Sequence, residues 1–466
     1  MKYVNRYIVE CLLIETGVKM VKAGCLTITK ELLKRRHFLQ VGSLSLLGIN
    51  LSQYLELKTL MAESDNDLKR KATAEACVVI WLEGGPSQVD TWDPKPNSNF
   101  KPISTNIPGI QISELLPKIA KHMDKLALVR SVHTKENNHG QGTYYALTGH
   151  RPTAAMKFPS LGTIVTKELG ARNNIPANVL VPDSWKSASY GEYIKGAFLD
   201  PAFNPMIVPD PSKEDFQVSD LALPKTLTVE RLHHRQSMLN LVDQIYRSKI
   251  ERIEHQAMDK FSEQALQMIL TPEARAAFDL STESEKTKDA YGRGSFGQSL
   301  LLTRRLIEAG SRFVTAAGHE LNGWDTHSDN DQRHKEKMTP GLDKALPVFL
   351  EDLKQRGLFE TTIVVVMGEF GRSPHHNSKL GRDHWPHCWS LAIGGGGIKG
   401  GQVIGASDDR GAYVAERTVS MGDIYATIYK ALGIDWHKEY MSPIGRPVKI
   451  ANALDDETGQ PIKGLI

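Results

Sequence analysis

The sequence predicts an α/β protein with a doubly wound, mostly parallel central sheet. Two continuous apolar runs, residues 76–82 and 126–132, have the length and composition of strands that are buried on both faces. A third run of this kind, residues 362–367, follows a long helical pattern. Because strand-like and helix-like segments alternate along the chain, parallel strands joined by crossover helices are the natural arrangement.

The remaining elements follow from the spacing of apolar residues and from the residues that end each segment. Residues 295–309 have the spacing of an amphipathic helix and are followed by Gly310, a residue type that commonly ends helices. The other predicted elements are a helix near 114–124, a strand at 312–316, a long helix at about 332–357, a short strand at 390–393 and a helix at 421–432. Residues 200–292 are charged and have a helix-like pattern from about 229 to 279, and we expect them to form an insertion or lid on a single domain spanning residues 75–466.

The charge distribution separates a basic leader from a nearly neutral body. The chain of 466 residues has a formal net charge of +3. Residues 1–71 contain 12 basic and 7 acidic side chains, so the remainder is slightly acidic. A body of that charge gives no support for nucleic-acid binding.

The leader resembles a twin-arginine export signal. Lys34 precedes the pair Arg35 and Arg36, and a short apolar run diluted by glycine and serine follows at residues 41–49. We therefore expect residues 1–74 to be a leader and the protein to be periplasmic or otherwise exported, with membrane contact only through this leader. The alternative interpretation is a basic amphipathic helix on a folded domain.

Polar loops follow the predicted strands, at the edge of an open α/β sheet where ligands bind. Seven of the 16 histidines lie between His319 and His387, far more than an even spread would put there. Carboxylates accompany them, and a mixture of carboxylate and imidazole suits Zn²⁺, Mn²⁺, iron or nickel better than an oxygen-only site for Mg²⁺ or Ca²⁺. The chain has neither a P-loop motif nor a G-x-G-x-x-G motif after a strand, and Ser87 lacks the G-x-S-x-G turn of serine hydrolases.

The candidate metal ligands are Asp325, His327, His384 and Glu369. Asp325 and His327 are separated by one residue, so both side chains point to the same face of an extended segment. We expect a divalent metal ion as the cofactor, with Zn²⁺ or Mn²⁺ favoured. The alternative is a capped turn that carries solvated histidines.

Three loop segments carry a specific pattern of residues: 84–96 (GGPSQVDTWDPKP), 368–374 (GEFGRSP) and 381–386 (GRDHWP). Together they resemble domain-of-unknown-function family 1501, a family of exported proteins, over nearly all of residues 75–466. That family is similar to the alkaline phosphatase and sulfatase superfamily, whose members hydrolyse or transfer phosphate and sulfate esters at one or two metal ions. The resemblance therefore implies a sheet of the alkaline-phosphatase-like type.

Carried over position by position, the resemblance implies further site residues. Glu83 stands where an aspartate ligand normally ends the first strand. Residues 146–152 (ALTGHRP) resemble the tail of the sulfatase nucleophile segment, and counting back along that segment puts His139 at the nucleophile position. The formylglycine-forming cysteine is absent from this position, which argues against ordinary sulfatase chemistry.

The metal-ligand pattern of the superfamily is only partly met. Residues 325–327 resemble its Asp-x-x-x-His pair with a shortened spacing, and Phe370 occupies the histidine position of its strand-end Asp-His pair. Its final histidine resembles His384, or His387. One metal site is therefore expected to be complete and a second to be eroded.

The resemblance also implies roles in catalysis for two residues. His139 would act as a general base or as a covalent nucleophile, and Arg372 would hold two oxygens of a phosphate or sulfate group. The alternative for Arg372 is a structural ion pair with Glu369 or Asp383.

Two functions follow from these patterns. The first is an exported metal-dependent hydrolase of sulfate or phosphate esters, acting on an anionic small molecule or a polysaccharide ester. The second is a non-catalytic protein on the same fold that keeps a metal or an anion pocket and assembles with an exported protein partner. The carboxylate and imidazole residues support the first function, and the missing Ser, Thr or Cys nucleophile supports the second.

Overall fold

The computed structural model describes residues 71–183, 194–218, 270–317 and 323–466, together with residues 231, 234, 237 and 238. Three predicted features lie outside these residues: the twin-arginine segment, the middle of the 200–292 insertion, and His319. Within the described part of the chain, no helix is long and apolar enough to cross a membrane.

Sixteen strands occur in the described residues. In chain order they are β1 (Ala76–Trp81), β2 (Pro102–Ser104), β3 (Gln111–Ser113), β4 (Leu126–Val132), β5 (Asn178–Val181), β6 (Met206–Ile207), β7 (Phe313–Ala316), β8 (Thr362–Met367), β9 (Gly371–Arg372), β10 (His384–Trp385), β11 (Trp389–Gly394), β12 (Val403–Ile404), β13 (Ala406–Ser407), β14 (Val414–Glu416), β15 (Glu439–Met441) and β16 (Pro447–Lys449).

Eight of these strands form one central sheet in the order β12-β4-β11-β8-β1-β7-β5-β6. All neighbouring pairs run parallel except the two made by β11, which is antiparallel to both β4 and β8. Every residue of β1, β8 and β11 is buried, as expected for strands covered on both faces. The predicted α/β class with a mostly parallel sheet is thus confirmed.

Helices cover both faces of the sheet. In chain order they are α1 (His139–Thr148), α2 (Leu161–Leu169), α3 (Pro272–Phe278), α4 (Glu285–Tyr291), α5 (Ser295–Ala309), α6 (Asn330–Arg333), α7 (Thr339–Gln355) and α8 (Met421–Ala431). Alternate residues of β1 enter two separate apolar layers, one containing Val78 and helices α3, α5 and α7, the other containing Val79 and helices α1, α2 and α8. The period-two geometry of a strand produces this division.

Two helix predictions differ from the structure. Only a 3₁₀ turn at Ile119–His122 forms within the helix expected near 114–124, because Pro117 lacks a backbone N–H and disfavours helical geometry in the residue before it. The long helix expected at about 332–357 is divided instead into α6, a π-helical turn at His334–Met338, and α7.

The beginning of the predicted insertion belongs to the main sheet. Strand β6, at Met206–Ile207, pairs with β5 at its edge, and α3 places Ala274, Ala277 and Phe278 in the apolar core. Residues 219–230 and 239–269, the middle of the insertion, lie outside the described residues.

Candidate metal centre

The candidate site residues lie at one edge of the central sheet. Glu83 follows β1, Asp325 follows β7, Glu369 follows β8, and His139 is the first residue of the helix that follows β4. These four strands are parallel, so their carboxyl ends meet at the same edge. His384 reaches this edge from β10, which pairs with β9 just after β8.

Three imidazoles converge on the Asp325 carboxylate. His139 Nε2 lies 3.2 Å from Asp325 Oδ2, and the Nε2 atoms of His327 and His384 each lie 3.3 Å from Asp325 Oδ1. His327 Nε2 and His384 Nε2 are 3.0 Å apart. His139, Asp325 and His384 form a group whose ligand atoms all lie within 4.8 Å of one another, and His327 adjoins this group from its more exposed side.

Each of the three imidazoles is held at its other nitrogen by an oxygen acceptor. The acceptors are Glu369 Oε1 for His139 at 2.7 Å, Asp383 Oδ1 for His327 at 2.8 Å, and the Asn137 carbonyl for His384 at 2.6 Å. In the neutral form, a ring that donates from Nδ1 presents the lone pair of Nε2. A cation bound at the Asp325 carboxylate would displace the proton from the Nε2 of each ring that it contacts and would take up the lone pair of that nitrogen.

The distance from His139 Nε2 or His384 Nε2 to its nearer oxygen of Asp325 is close to the distance between two ligands of a tetrahedral metal ion. Nitrogen and oxygen ligands bound ~2.0–2.1 Å from Zn²⁺ lie about 3.3 Å from one another. The Nε2–oxygen separations at Asp325, 3.2 and 3.3 Å, agree with that spacing. Anchoring of each imidazole by an outer oxygen is also typical of protein metal sites.

The charges around Asp325 keep it ionised. Burial by itself would raise the pKa of this carboxyl, but hydrogen bonds from His139 and His384 and the charge of Arg372 outweigh it and hold the pKa well below the usual range. Burial likewise acts to lower the pKa of His139, but its contacts with Asp325 and Glu369 raise that pKa to about 9.

Two carboxylates proposed from the sequence as metal ligands lie elsewhere around the centre. Glu369 is buried and faces His139 Nδ1 and the backbone N–H of Gly84, so it holds the ring of His139 and lies outside the group that converges on Asp325. Glu83 is also buried, its backbone carbonyl accepts a hydrogen bond from Trp324, and its carboxylate is not in that group. Of the five proposed ligands, the structure brings Asp325, His327 and His384 together.

His139 is itself one of the three residues whose side chains could hold a metal ion. Asn138 caps α1 by accepting a hydrogen bond from the Gly140 backbone, which places His139 in the first turn of the helix. Both ring nitrogens of His139 face carboxylates, Glu369 on one side and Asp325 on the other. The sequence placed this residue at the site, although in the role of a base or nucleophile.

Arg372 is fully buried, and its partners are internal. Its Nη2 lies 2.6 Å from Asp325 Oδ1, and the guanidinium also donates to the backbone carbonyls of Gly84, Gly85 and Arg382. The ion pair of Arg372 is with Asp325, and not with Glu369 or Asp383, the two partners of the alternative interpretation. A guanidinium enclosed in this way faces the Asp325 carboxylate and not the solvent.

Phe370 forms an apolar wall against the same cluster. Its ring centroid lies 5.1 Å from that of His139 and 4.6 Å from that of His384, and the side chain is completely buried. Glycines at 85 and 142 make room for it, since a Cβ atom at either position would lie within 3 Å of the ring. An apolar neighbour strengthens the electrostatic interactions of the cluster by excluding water.

Three features of the site had no signal in the sequence. The Asn137 carbonyl is a backbone group, so its side chain carries no information about its contact with His384. Asp383 precedes His384 and was considered only as a partner of Arg372. Gln88, which hydrogen bonds to the backbone N–H and C=O of Arg372, lies in the segment 84–96, but that segment did not indicate a contact with Arg372.

The family model described as protein of unknown function DUF1501 matches residues 74–466. No curated protein matches the sequence. Among solved structures, the chain is similar to the lipoteichoic acid synthase LtaP from Listeria monocytogenes, with 12% identity, a TM-score of 0.39, and coverage of 86% of this chain and 84% of that one.

Two further structures give similar values. The PsFucS1 sulfatase from Pseudoalteromonas sp. has 13% identity and a TM-score of 0.37, with 87% of this chain and 77% of that chain covered. Alkaline phosphatase from the Antarctic bacterium TAB5 has 11% identity and a TM-score of 0.34, with 77% and 98% covered.

Proposed function

The chain belongs to the DUF1501 family of proteins of unknown function, and we propose that it is a metal-dependent hydrolase of sulfate or phosphate esters. The observation that carries the proposal is the convergence of His139, Asp325 and His384 at the carboxyl ends of the parallel strands. The ligand atoms of these three residues all lie within 4.8 Å of one another. A divalent ion such as Zn²⁺ or Mn²⁺ bound by these residues would act as a Lewis acid on the anionic ester and on water.

The residues of the chain would bind and orient this centre. His139, Asp325 and His384 would supply the ligand atoms. His327 lies beside them, on the side nearer the solvent. Glu369 fixes the ring of His139 from behind, at 2.7 Å, so that Nε2 stays directed at the centre. The substrate would be an anionic small molecule or a polysaccharide ester, because a cationic centre at an open sheet edge attracts an anionic group.

Metal uptake and ester cleavage test the proposal together. After incubation with Zn²⁺ or Mn²⁺, the purified protein should retain metal by elemental analysis and should hydrolyse p-nitrophenyl phosphate or p-nitrophenyl sulfate. His384→Ala should lose both properties, because it removes one of the three convergent ligands. His387→Ala is the matched control, since this exposed histidine lies outside the cluster and packs against His133 and Tyr413.

The result that would overturn the proposal is a folded wild-type protein that retains no metal under these conditions. Metal binding without cleavage of any phosphate or sulfate ester would favour a second function, a non-catalytic metal- or anion-binding protein that assembles with an exported partner. The position of His139 supports that second function, because both nitrogens of this imidazole face carboxylates at the place where the family resemblance implies a nucleophile.

We also propose that residues 1–74 direct export by the twin-arginine route to the periplasm or beyond. The support is the pair Arg35 and Arg36 followed by a short apolar run. Replacing both arginines by lysine should leave the protein inside the cytoplasm in cell fractionation, while the double replacement of Lys69 and Arg70 should not. Unchanged export of the first variant would contradict the proposal.

A further inference from the structure

We propose that Arg372 is a fixed cation built into the metal centre, so that the centre binds a single divalent ion. This inference rests on the proposed metal-dependent function. It concerns the Asp325 carboxylate, which Arg372 and the imidazole cluster share. Arg372 would thus be neither a ligand for substrate nor part of a remote structural ion pair.

The guanidinium is held against one oxygen of the ligand carboxylate. Arg372 Nη2 lies 2.6 Å from Asp325 Oδ1, while His139 Nε2 faces Oδ2 of the same group at 3.2 Å. Arg372 has no exposed surface and the Asp325 side chain is only 22% exposed, so water screens this pair less than a pair at the molecular surface. A full positive charge therefore stands next to the position where the metal ion would bind.

The chain holds Arg372 in place from several sides. Its Nε donates to the Gly85 carbonyl at 3.0 Å and its Nη1 to the Arg382 carbonyl at 3.1 Å. Gln88 accepts a hydrogen bond from the backbone N–H of Arg372 and donates one to its carbonyl, each at 2.9 Å. With its backbone and its guanidinium both fixed, the side chain cannot turn away to admit another cation.

The position of this charge argues against a second metal ion. In two-metal sites, a pair of ions lies about 3.5–4 Å apart and is held by shared ligands. Here one oxygen of the shared carboxylate already carries a guanidinium, and Phe370 covers the adjacent faces of His139 and His384. A second ion would meet a like charge on one side and an apolar ring on the other.

The inference predicts the sign of a change in metal affinity. A guanidinium repels a divalent ion bound to the same carboxylate, and at these distances the repulsion is large even in a partly polar environment. Removing the charge in Arg372→Met should therefore tighten Zn²⁺ binding by about tenfold or more. Arg372→Lys retains the charge and should bind Zn²⁺ within a few-fold of the wild-type affinity.

The experiment is a calorimetric titration of the full chain with Zn²⁺ alone, with circular dichroism to verify folding. Arg333→Met is the matched control: Arg333 contacts the backbone carbonyl of Asp325 at 2.7 Å and leaves its carboxylate untouched, so the affinity should change little. The wild type should bind one equivalent. Arg372→Gln, a second neutral variant that keeps hydrogen-bonding groups, should reproduce the tighter binding and serves if Arg372→Met does not fold.

The outcomes separate this inference from the proposed function. If the wild type takes up no Zn²⁺, both are wrong. If the wild type binds one equivalent and the neutral variants bind it more weakly, the metal centre stands but Arg372 supports its ligand instead of competing with the ion. Two equivalents in the wild type would also overturn the inference, and that outcome requires no variant.

Discussion

At the scale of single residues, the site is built from pairs in which one side chain faces the centre and another group holds it. His139 is held by the buried carboxylate of Glu369, whereas His327 is held by Asp383, whose side chain is 58% exposed. Outer partners of this kind fix the orientation of a ligand and increase its basicity. The two anchors differ mainly in burial, and this difference can be tested.

We expect Glu369→Gln to weaken Zn²⁺ binding by roughly 10- to 100-fold, the usual cost of losing an outer carboxylate. Asp383→Asn should cost much less, because an exposed ion pair contributes little and water can replace it. Zinc titration of both variants measures the difference. A larger loss in Asp383→Asn would mean that His327, and not His139, is the principal ligand.

Another prediction at this scale concerns His150, just past the end of α1. Burial lowers the pKa of His150 to about 4, although the nearby Lys449 carbonyl and Asp456 oppose the shift. In the unfolded chain the pKa is about 6.5, so the unfolded state binds more protons between these values. The contribution of His150 to the free energy of unfolding is therefore fully present above pH ~6.5. It is lost as the pH falls towards 4, by up to about 3 kcal/mol.

His150→Gln should reduce this loss, because an amide can still donate to the Lys449 carbonyl and does not titrate. Denaturant unfolding of the variant and the wild type at several pH values between 4 and 7 measures the contribution. His437→Gln, at an exposed histidine, is the control and should follow the wild-type curve. Parallel curves for His150→Gln and the wild type would show that His150 does not contribute.

The sequence identified the residue types of the site better than their partners. The concentration of histidines and the pattern around Asp325 and His384 pointed to a metal centre, and these residues do converge. We expected Glu369 to bind the metal ion, because the sequence of a carboxylate after a strand does not distinguish a metal ligand from a group that holds one. Only the fold shows that His139 lies between this carboxylate and the centre. Contacts between distant loops leave no local signal.

At the scale of elements, the turn after β1 is packed directly against the segment that carries Asp325. Gly84 has φ +105°, and a Cβ atom there would lie 2.4 Å from the Asp325 nitrogen. Gly109 also has a positive φ, +82°, but open space surrounds it. The two glycines therefore separate the effect of backbone conformation from that of close packing.

We expect Gly109→Ala to lower the free energy of unfolding by about 1 kcal/mol, which is the cost of a positive φ in a non-glycine residue. Gly84→Ala should cost at least ~2 kcal/mol more, because it also forces two backbone segments apart, and it should weaken zinc binding as Asp325 shifts. Denaturant unfolding and zinc titration provide the two measurements. Equal losses of stability would show that the packing at Gly84 relaxes easily.

The elements that the sequence predicted well are those with strong local patterns. The predicted helix 295–309 coincides with α5, and the strand at 362–367 coincides with β8. The direction of β11 had a weaker signal. No helix was predicted between β8 and the strand at 390–393, and a parallel connection usually needs one. The antiparallel pairing of β11 with β8 is consistent with that missing crossover.

At the scale of the whole molecule, the candidate centre joins segments that are far apart in the sequence. His139 lies at the start of α1, Asp325 follows β7, and His384 belongs to β10. A ligand that binds the folded but not the unfolded chain stabilises the folded state by mass action. Zinc should therefore act on the stability of the entire sheet.

At a free Zn²⁺ concentration about 100 times the Kd, we expect a gain of about 2.7 kcal/mol in the free energy of unfolding and a higher Tm. His384→Ala should show no such gain, while His387→Ala should retain it. Thermal unfolding with and without Zn²⁺ tests this expectation. An equal rise in Tm for His384→Ala would place the stabilising zinc at another site.

The central position of β1 in the sheet has a consequence for how the protein is made. Its neighbours are β7 and β8, so Cys77 lies opposite Phe313 on one side and Ile363 on the other. A ribosome must therefore synthesise the chain as far as residue 367 before this apolar strand can acquire both partners. Until then β1 is an exposed apolar segment with unpaired backbone groups. Chains released early should therefore aggregate and depend on chaperones.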